Sequence, residues 1–71
     1  MFNLDELFTY HAPTPGQIVS LQAIRESAKA FAAAILDNTP GGPDQSAAIR
    51  KVREATMTAN AAVVLEGRNA Q

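Results

Sequence analysis

The stretch Ala59-Asn60-Ala61-Ala62-Val63-Val64-Leu65 is small and apolar on almost every side, yet carries one amide and is followed by Glu66-Gly67-Arg68. A helix that is apolar all round must be buried all round. Two helices cannot do that for each other, so the stretch points to packing against further chains. Small side chains suit such packing because they let backbones approach closely. Asn60 then needs a partner for its amide, since an unpaired buried polar group costs about 1–3 kcal/mol. Arg68 places a positive charge at the margin of this assembly surface.

The length sharpens the same conclusion. A chain of 71 residues makes one domain, 1–71, and chains this short bury too little surface to be comfortably stable alone. Cysteine is absent and His11 is the single histidine, which excludes a disulfide framework, a thiolate metal site and a histidine cluster. Stability is left to helix packing and self-association. Six basic against seven acidic side chains argue against a protein that coats DNA or RNA. The segment from Met1 to Phe8 has neither the basic head nor the long apolar run of a secretory signal. No run approaches the roughly 18 apolar residues needed to span a bilayer. The chain reads as cytoplasmic.

The hydrophobic pattern predicts an all-α chain built on a long antiparallel helical hairpin. Thr14-Pro15-Gly16-Gln17 is a start signal: Thr14 caps, Pro15 suits the first helical position, and Gln17 completes a Thr-x-x-Gln capping box. Ile18, Leu21, Ile24, Ala28, Phe31 and Ile35 follow at spacings of three and four, one apolar stripe on a helix over about 15–37. Asp37-Asn38-Thr39-Pro40-Gly41-Gly42-Pro43 ends it. There Asn38 and the two glycines suit left-handed helix-end geometry. Pro43 opens a second helix over about 43–68, with Asp44 in the first turn, where negative charge is favoured. Its stripe is small: Ala48, Val52, Ala55, Ala59 and Ala62, widened by Ile49, Val63 and Val64. Large residues facing small ones allow close interdigitation, and the short connection makes the helices antiparallel neighbours. A second, weaker capping box, Asn3-Leu4-Asp5-Glu6, predicts a short amphipathic helix over about 3–8. An extended link, Thr9 to Pro13, joins it to the hairpin.

Signatures of catalysis are missing. No Gly-rich phosphate loop, His-Glu zinc motif or Cys/His metal spacing is present. The Gly41-Gly42 pair lies between prolines without a following Lys-Ser or Lys-Thr. Ser20, Ser27 and Ser46 have no histidine near them in sequence. The chain therefore reads as a binding protein, not an enzyme, with no metal and no cofactor. Few residues could recognise a ligand. In the extended link, Tyr10 could stack on a base and His11 could sit beside it. The residues alone favour Tyr10 as a packing group and His11 as solvated. Arg25 borders the seam of the first helix and can offer its guanidinium to a phosphate, or be solvated near Glu26 or Asp5. Ser27 lies about 200° around the helix from Arg25, so the two serve different surfaces. Arg68 suits the negative end of a helix dipole. Arg50, Lys51 and Arg53, balanced by Asp44 and Glu54, read as a solvated face.

Phe8-Thr9-Tyr10-His11-Ala12-Pro13-Thr14, the capped helix, Pro40 to Pro43, Ala47-Ala48-Ile49 and Thr58-Ala59-Asn60-Ala61-Ala62-Val63 together resemble the phage anti-CBASS protein two family. The order and spacing agree over residues 7 to 69. The aromatic-His-x-Pro link and the Ala-Asn-Ala-Ala-Val segment are the most specific elements. Thr58 departs from the pattern, where tryptophan is expected. Arg25 stands where lysine is also seen, and keeps the charge.

The resemblance implies a compact homo-oligomer, a hexamer, acting in the cytoplasm of an infected bacterial host. It implies a sponge that sequesters cyclic dinucleotides, cGAMP among them, and cyclic trinucleotides, in separate pockets, without cleaving them. The hairpin is similar to that of Thoeris anti-defence sponges, which bind cyclic ADP-ribose isomers. Carried over position by position, Tyr10 becomes the base-stacking aromatic, Arg25 the phosphate-contacting cation and His11 a neighbour of that pocket. Ser27 and Arg68 fall on the trinucleotide side. The partners implied are these ligands and the chain itself, with no DNA or RNA polymer and no membrane. The competing expectation is a helical-hairpin adaptor or structural oligomer whose only partner is protein.

Overall fold

Thr14 starts the hairpin as the capping box requires. Its Oγ1 accepts from the Gln17 N–H at 3.1 Å, while its own N–H donates to Gln17 Oε1 at 2.9 Å. The computed structural model describes residues 4–8 and 12–66. A short helix, α1, spans Leu4–Phe8. The hairpin is α2, Pro15–Asn38, and α3, Pro43–Ala61, continued by a π-helical turn over Ala62–Glu66. Among the described residues there is no strand.

Hydrogen bonds at both ends of the hairpin show that α2 and α3 run antiparallel. Gln17, at the start of α2, donates through Nε2 to the Val63 carbonyl beyond the end of α3, at 3.1 Å. At the opposite end, Gln45 of α3 donates through Nε2 to Thr39 O at 3.2 Å and to Thr39 Oγ1 at 3.1 Å. Each helix therefore begins where the other finishes.

The close of α2 differs from the left-handed turn expected of Asn38 and the glycines. Thr39 is extended, at φ −130° and ψ 150°, and no described non-glycine residue has a positive φ. Side chains fold back onto the last turn instead. Asn38 Nδ2 donates to Ala34 O at 2.8 Å, and Thr39 Oγ1 donates to Ile35 O at 2.7 Å. This back-bonding is a local alternative that Asn and Thr side chains offer at a helix end. The positive φ appears later, at Gly42 (159°), which precedes Pro43 and receives the first helical bond of α3 from Ser46 N–H. Only glycine takes that backbone without strain.

The second helix, expected over 43–68, is α-helical only to Ala61. The Ala62 N–H is shared between the carbonyls of Ala59 and Thr58, and the wider π turn follows. At a helix end the last carbonyls lack α-helical partners. The Gln17 amide supplies one of them from across the hairpin.

The seam is half-buried at Leu21, Ile24, Ala28 and Ile35 of α2 and at Ala48, Val52, Ala59 and Val63 opposite them. Among the described residues, however, no side chain is fully buried. Val19, Phe31, Leu36 and Met57 are each more than half exposed, and Ala55 and Ala62 of the expected small stripe are exposed as well. The chain exposes 5608 Å², against about 4,250 Å² for a compact monomer of this mass. Its radius of gyration is 14.9 Å, against about 11 Å for a compact chain of this length. One hairpin does not close a core.

Candidate functional site

The seam divides the hairpin into two flanks, and α2 assigns its candidate residues to opposite ones. At 100° per residue, Ser27 and Phe31 turn to one side of Ala28, whereas Arg25, Ile18 and Leu36 turn to the other. Both Arg25 and Ser27 are exposed. They do not come together, as their spacing requires.

On the Ser27 flank the two helices leave a groove of about 670 Å³. Ile24, Phe31 and Ile35 of α2 and Val52 of α3 make its apolar walls. Three polar side chains reach it: Ser27, Lys51 and Thr56. The Thr56 hydroxyl already donates to the Val52 carbonyl at 2.8 Å within its own helix. Lys51 is the charged group among the described lining residues. An apolar trough with one cation and two hydroxyls suits a flat ligand that carries negative charge.

The Arg25 flank carries Asn60. Its Oδ1 is shielded from solvent and has no hydrogen-bond donor among the described residues, so the accepting half of this amide is unmatched there. Such an atom costs about 1–3 kcal/mol until a donor reaches it. Thr58 is exposed and directs its hydroxyl back to the Glu54 carbonyl at 2.9 Å. It contributes no broad surface of the kind a tryptophan would.

Tyr10, His11 and Arg68 lie outside the described residues. In sequence, Tyr10 and His11 precede the Thr14 cap and Arg68 follows the π turn, the two described segments that Gln17 joins. Two residues escaped the reading of the sequence. Lys51, expected on a solvated basic face, is exposed as that predicts, but it also lines the groove, one turn before Ala55. Gln17 was read only as a cap, although Gln17, Leu21, Ile24 and Ala28 share one stripe.

Among the described residues no cluster of His, Cys, Asp and Glu could hold a metal ion. None of their helices is long and apolar enough to cross a membrane.

A family model, described as the Acb2/Tad1 hairpin domain, matches residues 3–64. That span takes in α1, the link, both long helices and the first part of the π turn. The chain belongs to the Acb2/Tad1 hairpin family. Membership in the Acb2/Tad1 family supports a phage anti-defence sponge role in general, and binding in place of catalysis. No match was found among curated proteins or among solved structures.

Proposed function

We propose that this protein is a phage immune-evasion sponge that binds and sequesters cyclic oligonucleotide messengers of CBASS signalling without cleaving them. The family match over residues 3–64 carries the reading. The geometry supports it through the opposite flanks taken by Arg25 and Ser27, which give two ligand classes separate surfaces. On this reading Tyr10, His11 and Arg25 form the cyclic dinucleotide pocket. Ser27 and Arg68 serve the cyclic trinucleotide, whose bases suit the apolar trough beside Ser27. Tyr10 stacks on a base without demanding one base in particular, because every base has a π-face. Arg25 gives planar, permanently charged donors to a phosphodiester.

Reach favours a pocket shared between subunits. From Thr14 to Arg25 the helix advances about 16 Å, whereas the link back to Tyr10 covers at most about 14 Å and only if it doubles straight back. Tyr10 of one subunit therefore meets Arg25 of another more easily than its own. The unfinished core supports a homo-oligomer, and the reading makes it a hexamer in the host cytoplasm. The alternative ligand class, the cyclic ADP-ribose isomers of Thoeris signalling, enters because the family unites Acb2 with Tad1.

Thermal denaturation with a panel of cyclic dinucleotides, trinucleotides and cyclic ADP-ribose isomers tests the reading. A sponge is stabilised by about 2.7 kcal/mol at a hundredfold excess of ligand over Kd, and the ligand is recovered intact after denaturation. Tyr10→Ala and Arg25→Ala should each weaken dinucleotide binding without changing the oligomer. Mixing the two variants should restore part of it when subunits exchange. A protein that responds to none of the panel is an adaptor, and a cleaved ligand makes it an enzyme.

A further inference from the structure

Helix pitch sorts the charged side chains of the hairpin onto its two flanks. Around α2, measured from Ala28 in the seam, Arg25 stands at about +60°, Lys29 at about +100° and Ser27 at about −100°. Around α3, measured from Val52 in the seam, Arg53 stands at about +100° and Lys51 at about −100°. Ser27 and Lys51 line one groove, so the negative turns of both helices share that flank and the positive turns share the other. Arg53 therefore joins Arg25 and Lys29 on the side away from the groove.

The hydrogen bonds at the two ends of the hairpin fix their heights. Measured from the Gln17–Val63 bond, Lys29 is about 18 Å along α2 and Arg53 about 15 Å back along α3. Measured from the Gln45–Thr39 bond at the other end, Lys29 is about 15 Å away and Arg53 about 12 Å. The two offsets have opposite directions, so Arg53 is level with Lys29 to within about 3 Å. Arg25 lies one turn from Lys29 on the same helix. Packed helix axes are about 8–10 Å apart, a gap that long cationic side chains on both helices bridge from either side of one bound anion.

Arg25, Lys29 and Arg53 are all exposed, and none has a hydrogen bond or ion pair among the described residues. The acids of the two long helices face elsewhere. Glu26 and Asp37 lie at about 160° and 180° from Ala28, and Glu54 at about 160° from Val52, all on the backs of their helices. Asp44, at about −80° from Val52, is on the groove flank. Arg25 and Lys29, four residues apart, repel one another as like charges at that spacing do. Arg53 adds a third positive charge at the same height. Neither long helix offsets this charge, and the flank fits an anion from outside.

We propose that Lys29 and Arg53 complete, with Arg25, a cationic cluster that takes both phosphodiesters of a cyclic dinucleotide. Each phosphodiester of such a ring carries one negative charge. The Arg25 guanidinium can hold one of them through paired N–H donors. The other falls to Lys29 and Arg53, a mobile point charge beside a planar fork. The assignment rests on the sponge reading given above and adds two ligand-contacting residues to it.

Calorimetry with cyclic di-adenylate and cGAMP tests it on Lys29→Gln and Arg53→Gln. Lys51→Gln is the control, because it removes the same charge from the opposite flank. Loss of a hydrogen bond to a charged group corresponds to about tenfold or more in affinity. Lys29→Gln and Arg53→Gln should each weaken the dinucleotide by about that factor at low salt, and Lys51→Gln should stay within about twofold. Arg53→Lys, which keeps the charge, should bind more tightly than Arg53→Gln. The gap between parent and variants should narrow from about 0.01 M to about 1 M salt, as the screening length falls from about 30 Å to about 3 Å. Light scattering should give every variant the parental mass. Equal weakening by Lys51→Gln and Arg53→Gln would reduce the effect to net charge, and overturns the proposal. Dissociation of the Lys29 or Arg53 variant overturns it too, since these cations would then face acids of a second copy. A parent that binds a dinucleotide as tightly as both variants defeats the cluster and leaves the sponge reading standing. A parent that binds cyclic tri-adenylate alone does the same. A parent that binds none of the three defeats both.

Discussion

Phe31→Ala tests whether the open flank of the hairpin is covered by a second copy. Phe31 lines the groove and is 60 % exposed in the single chain. A phenylalanine offers roughly 200 Å² to burial, so about 120 Å² of it awaits cover. At about 25 cal/mol per Å² that area is worth about 3 kcal/mol per chain once covered. The association constant should then fall by about 150-fold for each Phe31 removed from an interface. The part already buried in the hairpin is about 80 Å² and contributes about 2 kcal/mol to the fold itself. Sedimentation velocity over a dilution series separates the first effect from the second, with circular dichroism at each concentration as the control for folding. The expected result is an oligomer for the parent and a variant that dissociates at concentrations where the parent does not. Two results refute the reasoning. One is a parent that sediments as a folded monomer at micromolar concentration. The other is a variant that dissociates where the parent does while remaining equally helical.

Ala62→Glu places a charge on the exposed alanine that opens the π turn, and should dissociate the assembly, seen as a fall in mass by light scattering. Thr14→Ala removes the accepting hydroxyl of the capping box and should cost about 1 kcal/mol, a melting point lower by about 4–8 °C for a domain of this size. Arg68→Ala should abolish trinucleotide binding in calorimetry and leave the dinucleotide bound; equal loss of both would mean that the pockets are not separate.

The helices were legible because their signals are local. Thr14-x-x-Gln17 predicted a capping box and both of its hydrogen bonds are present. Pro43 and Asp44 predicted the start of α3, and Pro43 is its first residue. The short connection predicted an antiparallel pair, and the bonds from Gln17 and Gln45 join the paired ends. The helix end at Asn38 was misread for a related reason. Asparagine can either adopt the left-handed conformation or donate its amide to a carbonyl one turn back, and the composition of the turn is the same in both cases. Here the side chain donates.

The candidate site was legible in direction but not in company. Spacing along α2 fixed that Arg25 and Ser27 diverge, because a helix turns each residue through a set angle. It did not reveal that Lys51 shares the groove with Ser27, since that pairing depends on the register of one helix against the other. Register in turn depends on contacts such as that of Gln17 with Val63, whose partners are far apart in sequence. A glutamine in a capping box explains itself locally, and its spare N–H draws no notice until the opposite helix of the hairpin is in place. Asn60 is the converse case. Its need for a partner was legible from its apolar setting, and one chain leaves its Oδ1 without a donor. An acceptor left unmatched in a chain with no buried side chain among its described residues has the same cause as the open groove: the surfaces that would complete it are not supplied by one hairpin. On the proposed reading, self-association would cover this apolar area and supply the donor that Asn60 lacks.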